Sequence, residues 1–158
     1  MNELAKKVGE RLKAARAQLV TAESCTGGWV AQAVTAIAGS SDWFECGFVT
    51  YSNASKEELL GVRTATLERH GAVSEETARE MVQGALARSN GTLALAVTGI
   101  AGPGGGSPDK PVGTVCFAWG HGKTVITETR HFSGDRDSVR RQSVAHALEG
   151  VLRALDAR

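Results

Sequence analysis

The sequence predicts an α/β fold: one domain of alternating helices and strands, closed by a hairpin and a last helix. Stretches with apolar residues at helical spacing bracket the chain, and between them short β-prone runs alternate with cap and turn residues. At the centre, Thr92-Leu93-Ala94-Leu95-Ala96-Val97-Thr98 is nearly all apolar or β-branched, the composition of a strand covered on both faces. The length of 158 residues lies within the roughly 100–200 residues of a single domain, so residues 1–158 read as one unit.

Leu4, Val8 and Leu12 recur every four positions, which predicts an opening helix over 3–17. Residues 19–22 form a short β-prone run, Glu23-Ser24-Cys25-Thr26-Gly27-Gly28 a tight turn, and residues 29–38 a second helix. After the break at Gly39-Ser40-Ser41-Asp42, residues 44–51, with the β-prone Gly47-Phe48-Val49-Thr50-Tyr51, read as a strand. Ser52 and Asn53 can cap a short helix over 54–60 that Gly61 ends, and Ser74 caps another, with Glu75 and Glu76 suited to its positive first turn. A glycine- and proline-rich loop over 99–113 follows the central strand. Strands over 114–119 and 123–131 then flank a turn at Gly120-His121-Gly122. Asp135 can cap the closing helix, whose Val144, Leu148, Val151, Leu152 and Leu155 form one apolar stripe.

Composition narrows the function. With 18 Lys+Arg against 17 Asp+Glu the net charge is +1, too small a field to attract nucleic acid or acidic membranes. The N-terminus lacks the apolar core of a signal peptide, and no apolar run approaches the roughly 18 residues of a membrane span, so a cytoplasmic protein is expected. Cys25, Cys46 and Cys116 are too few and too scattered for a disulfide framework. His70, His121, His131 and His146 lack metal-ligand spacing, so no metal is expected.

Three segments could carry chemistry. Ser24 lies where a strand gives way to a helix, a turn that points a side chain and several backbone amides into one cleft. The alternative is that Ser24 or Thr26 only caps the helix while Gly27 and Gly28 permit close packing. Cys25 is a rival nucleophile, but sequence supplies it no base. Lys56 falls in the first turn of a predicted helix, where the helix dipole and desolvation both disfavour its charge; an exposed lysine beside Glu57 and Glu58 is the alternative. Tyr51 is the only tyrosine and could equally pack as a strand residue.

The third segment, Thr98-Gly99-Ile100-Ala101-Gly102-Pro103-Gly104-Gly105-Gly106-Ser107, could present amides to a phosphate or carboxylate. A dinucleotide fingerprint starting at Gly102 fails at Ser107, and Gly122-Lys123-Thr124 lacks the first glycine of a P-loop, where Phe117 stands. Ser107-Pro108-Asp109-Lys110 spells a Ser-x-x-Lys dyad, but proline and the surrounding glycines predict a loop. Arg136, Arg140 and Arg141 could bind a phosphate or simply form a solvated helix face.

Together, Thr21-Ala22-Glu23-Ser24-Cys25-Thr26-Gly27-Gly28, Gly47-Phe48-Val49-Thr50-Tyr51-Ser52-Asn53, Gly71-Ala72-Val73-Ser74, Thr98-Gly99-Ile100-Ala101-Gly102-Pro103 and Lys110-Pro111-Val112-Gly113-Thr114-Val115 resemble the CinA C-terminal domain family over nearly the whole chain. The resemblance implies a three-layer α/β/α sandwich with a mixed, mostly parallel sheet. It also implies hydrolysis of nicotinamide mononucleotide to nicotinate mononucleotide and ammonia without metal or organic cofactor. On its motif positions Ser24 corresponds to the nucleophile, Lys56 to the general base and Tyr51 to an assisting hydroxyl close to both.

Amides over Cys25, Thr26, Gly27 and Gly28 are expected to stabilise the oxyanion. Thr98, Gly99, Gly102, Gly105 and Arg140 are expected to hold the rest of a small nucleotide. Longer members carry a metal-using pyrophosphatase domain ahead of this part, and that activity is not expected here. A homo-oligomer with no nucleic-acid or membrane partner is expected. The alternatives are a nucleotide-binding regulatory module without chemistry and a competence- or damage-associated partner protein.

Overall fold

The computed structural model describes residues 1–157. Its strands β1 (Leu19–Glu23), β2 (Phe44–Val49), β3 (Leu93–Gly99), β4 (Thr114–His121) and β5 (Thr124–His131) form one sheet in the order β2-β1-β3-β4-β5. β1 pairs in parallel with both β2 and β3, whereas β3–β4 and β4–β5 are antiparallel. Four strands therefore point the same way and only β4 opposes them.

Helices cover both faces. α1 (Asn2–Ala14), α2 (Trp29–Thr35) and α6 (Arg136–Asp156) pack on one side, α3 (Asn53–Leu60), α4 (Thr64–His70) and α5 (Glu75–Ala87) on the other, giving two separate apolar cores. Leu19, Leu93, Leu95, Val97, Phe117 and Trp119 serve the first core, and Val20, Ala22, Ala94, Ala96, Cys116 and Ala118 the second. The alternation is the pleat itself, since successive side chains point to opposite faces. All five residues of β1 are buried, as a strand flanked and covered on every side must be.

Capping by Ser52, Ser74 and Asp135 occurs as the sequence suggests: each side chain accepts from a backbone amide in the first turn of its helix. Several boundaries differ: α1 ends at Ala14 and α2 at Thr35, each three residues short of the expected end. β2 starts at Phe44 and stops at Val49, so Thr50 and Tyr51 lie past the strand. β4 runs through Gly120 and His121, leaving Gly122 and Lys123 as the hairpin turn. α4 was not anticipated, because Arg63 offers it no side-chain cap and its short span buries only Thr66 and Leu67.

Candidate active site

β1 is where the connections diverge. The chain leaves it through α2 to β2 on one side, then crosses by way of α3, α4 and α5 to β3 on the other. In open α/β sheets such a divergence opens a crevice beyond the carboxyl ends of the strands. A cleft of about 280 Å³ lies there, lined by Ser24, Cys25, Tyr51, Asn53, Lys56, Thr98 and the loop that follows β3. Its size suits a small molecule rather than a polymer.

Two side chains distant in sequence meet in the cleft. Lys56 Nζ stands 3.0 Å from Ser24 Oγ, and it donates to the carbonyls of Thr50 at 3.0 Å and Tyr51 at 3.3 Å. Lys56 is 1 % exposed and Ser24 7 %. Burial lowers the Lys56 pKa from its ordinary 10.5, because an ammonium loses hydration that neutral carbonyls only partly replace. In the neutral amine the two N–H groups remain with the carbonyls, so the lone pair is the part left for the serine hydroxyl. Such an arrangement can serve as a nucleophile with its base.

The backbone around Lys56 is fixed as well. The capping box of Ser52 and Ser55 sets the start of α3, and Val62 N–H donates to the Lys56 carbonyl at 3.1 Å. Ser24 is held by its amide, which donates to Val97 O at 2.9 Å. Cys25 fares differently: burial pushes its thiol up to about 12, so it is protonated at neutral pH and unsuited to attack.

The expected site residues divide. Ser24, Cys25, Tyr51, Lys56, Thr98, Gly99, Gly102 and Gly105 line the cleft, whereas Thr26, Gly27, Gly28 and Arg140 do not. The Gly27 amide is spent on Ser24 O at 3.0 Å, and Gly28, at φ +106°, is the N-cap of α2. Their glycine identity serves the turn, whose left-handed backbone a side chain would strain. Arg140 donates from Nε to Cys25 O and from Nη2 to Thr26 O, both at 3.1 Å, and packs 5.4 Å from the Trp29 ring centroid. It braces the turn after Ser24 from behind.

The arginine in the cleft is Arg136, one helical turn earlier, which bridges Gly102 O at 2.9 Å and the Tyr51 hydroxyl at 3.2 Å. Tyr51 is 62 % exposed at the rim, and its carbonyl rather than its hydroxyl contacts Lys56. Thr98 Oγ1 donates to Ala72 O at 2.9 Å, tying the segment before α5 to the end of β3. Ser107 and Lys110 close a turn of their own, and Lys110 Nζ donates to His70 O at 2.5 Å, away from Ser24.

Sequence reasoning passed over two residues here. Asn53 lines the cleft as the first residue of α3, a position legible only as a cap. Glu23 is fully buried, and its carboxylate accepts from Thr26 Oγ1, Val30 N and Ala31 N; the available signal was an acid ending an otherwise apolar strand. Among the described residues no group of three or more His, Cys, Asp or Glu could hold a metal, and no helix is long and apolar enough to cross a membrane.

Known proteins resemble this chain along nearly its whole length. The chain is 56% identical over 149 residues to the nicotinamide-nucleotide amidohydrolase PncC of Pseudomonas putida, covering 94% of this chain and 93% of that protein. It is also 56% identical over 148 residues to the PncC of Escherichia coli K12, covering 93% and 90%. A crystal structure of a competence-damaged protein (CinA) superfamily member from Klebsiella pneumoniae superposes with a TM-score of 0.96 at 39% identity, covering 99% of this chain and 98% of that one. The model of the CinA C-terminal domain matches residues 1–155. From its first helix to its last, therefore, this chain belongs to the CinA C-terminal domain family.

Proposed function

We propose that this chain is an amidohydrolase that converts nicotinamide mononucleotide and water to nicotinate mononucleotide and ammonia, with Ser24 as nucleophile and Lys56 as general base. The observation that carries the reading is the buried 3.0 Å contact between Lys56 Nζ and Ser24 Oγ. The activity of the relatives at 56% identity, nicotinamide-nucleotide amidohydrolases, supplies the substrate.

Neutral Lys56 takes the Ser24 proton as Oγ attacks the carboxamide carbon, and the resulting ammonium is stabilised by the Thr50 and Tyr51 carbonyls. We assign the developing oxyanion to the Cys25 amide, because Cys25 follows Ser24 at the cleft wall and that amide is the donor at other strand-to-helix nucleophile turns. Lys56 then returns the proton to the departing nitrogen, and ammonia leaves a Ser24 ester. Water attacks that ester with Lys56 again as base, releasing the carboxylate and restoring the hydroxyl.

Arg136, rather than Arg140, is the guanidinium available to the ribose phosphate, because Arg140 is committed to the turn. The Tyr51 hydroxyl, held by Arg136, frames the outer part of the substrate instead of the proton path.

Purified Ser24→Ala and Lys56→Ala, both checked for folding, test the reading by ammonia release from nicotinamide mononucleotide. Each is expected to lose at least about 10³-fold in kcat, as expected for nucleophile–base pairs that act as a unit. Full activity in either folded variant would overturn that residue's role. Wild-type protein that binds the nucleotide but releases no ammonia would instead be a binding module.

A further inference from the structure

The mechanism above leaves one buried charged side chain unused. Glu23 is fully buried, and its carboxylate accepts from Thr26 Oγ1 at 2.7 Å, Val30 N at 2.8 Å and Ala31 N at 3.0 Å. Val30 and Ala31 are the second and third residues of α2, whose amides an N-cap side chain ordinarily satisfies. The cap residue is Gly28, which has no side chain to offer. Glu23 does the work from the far side of the turn.

The topology of that bond matters. Glu23 precedes the turn and α2 follows it, so the carboxylate closes a ring around residues 24–28, with Thr26 as a spoke. The backbone of Glu23 joins the other half of the dyad: its carbonyl accepts from Thr50 N at 2.8 Å, and the Thr50 carbonyl accepts from Lys56 Nζ. The pleat sends the Glu23 side chain toward α2 and its neighbour's hydroxyl toward α3, so this residue constrains Ser24 without entering the cleft.

Resting on the Ser24–Lys56 reading, we infer that Glu23 is the positioning residue of the nucleophile turn: its carboxylate fixes Ser24 Oγ at bonding distance from Lys56 Nζ. A plain helix cap would affect only stability. A positioning residue sets the reactivity of the serine in protein that is fully folded, since a misplacement of about 1 Å can cost on the order of 100-fold in rate.

The test compares Glu23→Gln, Thr26→Val and Thr26→Ser with wild type on nicotinamide mononucleotide, at a temperature where circular dichroism shows each fully folded. Glutamine keeps the shape but turns an NH₂ toward one of the two backbone donors, so kcat is expected to fall about 10- to 100-fold with KM changed by less than about threefold. The rate at which a small fluorophosphonate labels Ser24 falls by the same factor. Thr26→Val loses several-fold and Thr26→Ser recovers most of it.

Folded Glu23→Gln with wild-type kcat and labelling rate, or with only KM raised, overturns the inference. Should Glu23→Gln not fold, the Thr26 pair decides: equal kcat in Val and Ser variants overturns it, and a Ser-specific rescue supports it. Ammonia release by folded Ser24→Ala would mark failure of the dyad itself. An inactive Ser24→Ala beside a fully active Glu23→Gln would remove the Glu23 role alone.

Discussion

Lys56 is a primary amine sealed in the interior with neutral partners, and its protonation couples the chemistry to folding. Because burial lowers its pKa below 10.5, kcat/KM is expected to rise from the acid side with an inflection below that value as the amine loses its proton, which a pH–rate profile measures. Between the folded-state value and 10.5 the unfolded chain holds this proton and the folded chain does not, so the lysine's contribution to stability rises with pH across that window. Below the window the penalty for the buried charge is present in full. Denaturant titrations of wild type and Lys56→Met should converge as pH increases through it. Cys25 gives the opposite expectation: with a thiol pushed up to about 12, Cys25→Ala should retain kcat within about fivefold, whereas a thiol nucleophile would lose orders of magnitude. Ammonia assays at neutral pH separate the two.

At the level of elements, α3 is placed by its contact with α5. A Cβ built on Gly84 would lie 1.8 Å from the Leu60 carbonyl oxygen, so this position tolerates no side chain while α3 keeps its seat. Gly84→Ala should destabilise by about 3 kcal/mol and lower kcat together, because relief requires moving the helix that carries Lys56. Denaturation midpoints and ammonia release in one preparation check this. Much of this layer was legible in the sequence. Ser52, Ser74 and Asp135 announce helix starts through their chemistry, and residues 93–98 announce a buried strand by being all apolar or β-branched. α4 was illegible because it has neither cap nor stripe, only Thr66 and Leu67 turned inward. Arg136 and Arg140 stand one turn apart on α6, and no periodicity says which faces the cleft.

Across the whole molecule, the sheet order makes the site. Ser24 and Lys56 are separated by 32 positions, a spacing with no meaning on any single element. They converge because β2 and β3 lie on opposite sides of β1 and α3 returns over the face toward which Ser24 points. Sequence nominated both residues by local setting, while their pairing came from family resemblance. The opposite face is built for support: Trp119 stacks on Phe117 at 5.6 Å, donates to Ala147 O at 2.9 Å, and covers Gly150, whose added Cβ would lie 1.9 Å from the indole. Gly150→Ala should therefore lower the melting temperature by several degrees yet leave kcat of the folded protein unchanged, as calorimetry and turnover measured side by side will show.

The carbonyls of Thr50 and Tyr51 that anchor the Lys56 amine belong to peptide links, which every amino acid supplies. No missense change at those two codons can erase the anchors. A lineage carrying this fold is accordingly free to exchange the rim side chain of Tyr51 for new substrate preferences without releasing the Lys56 amine.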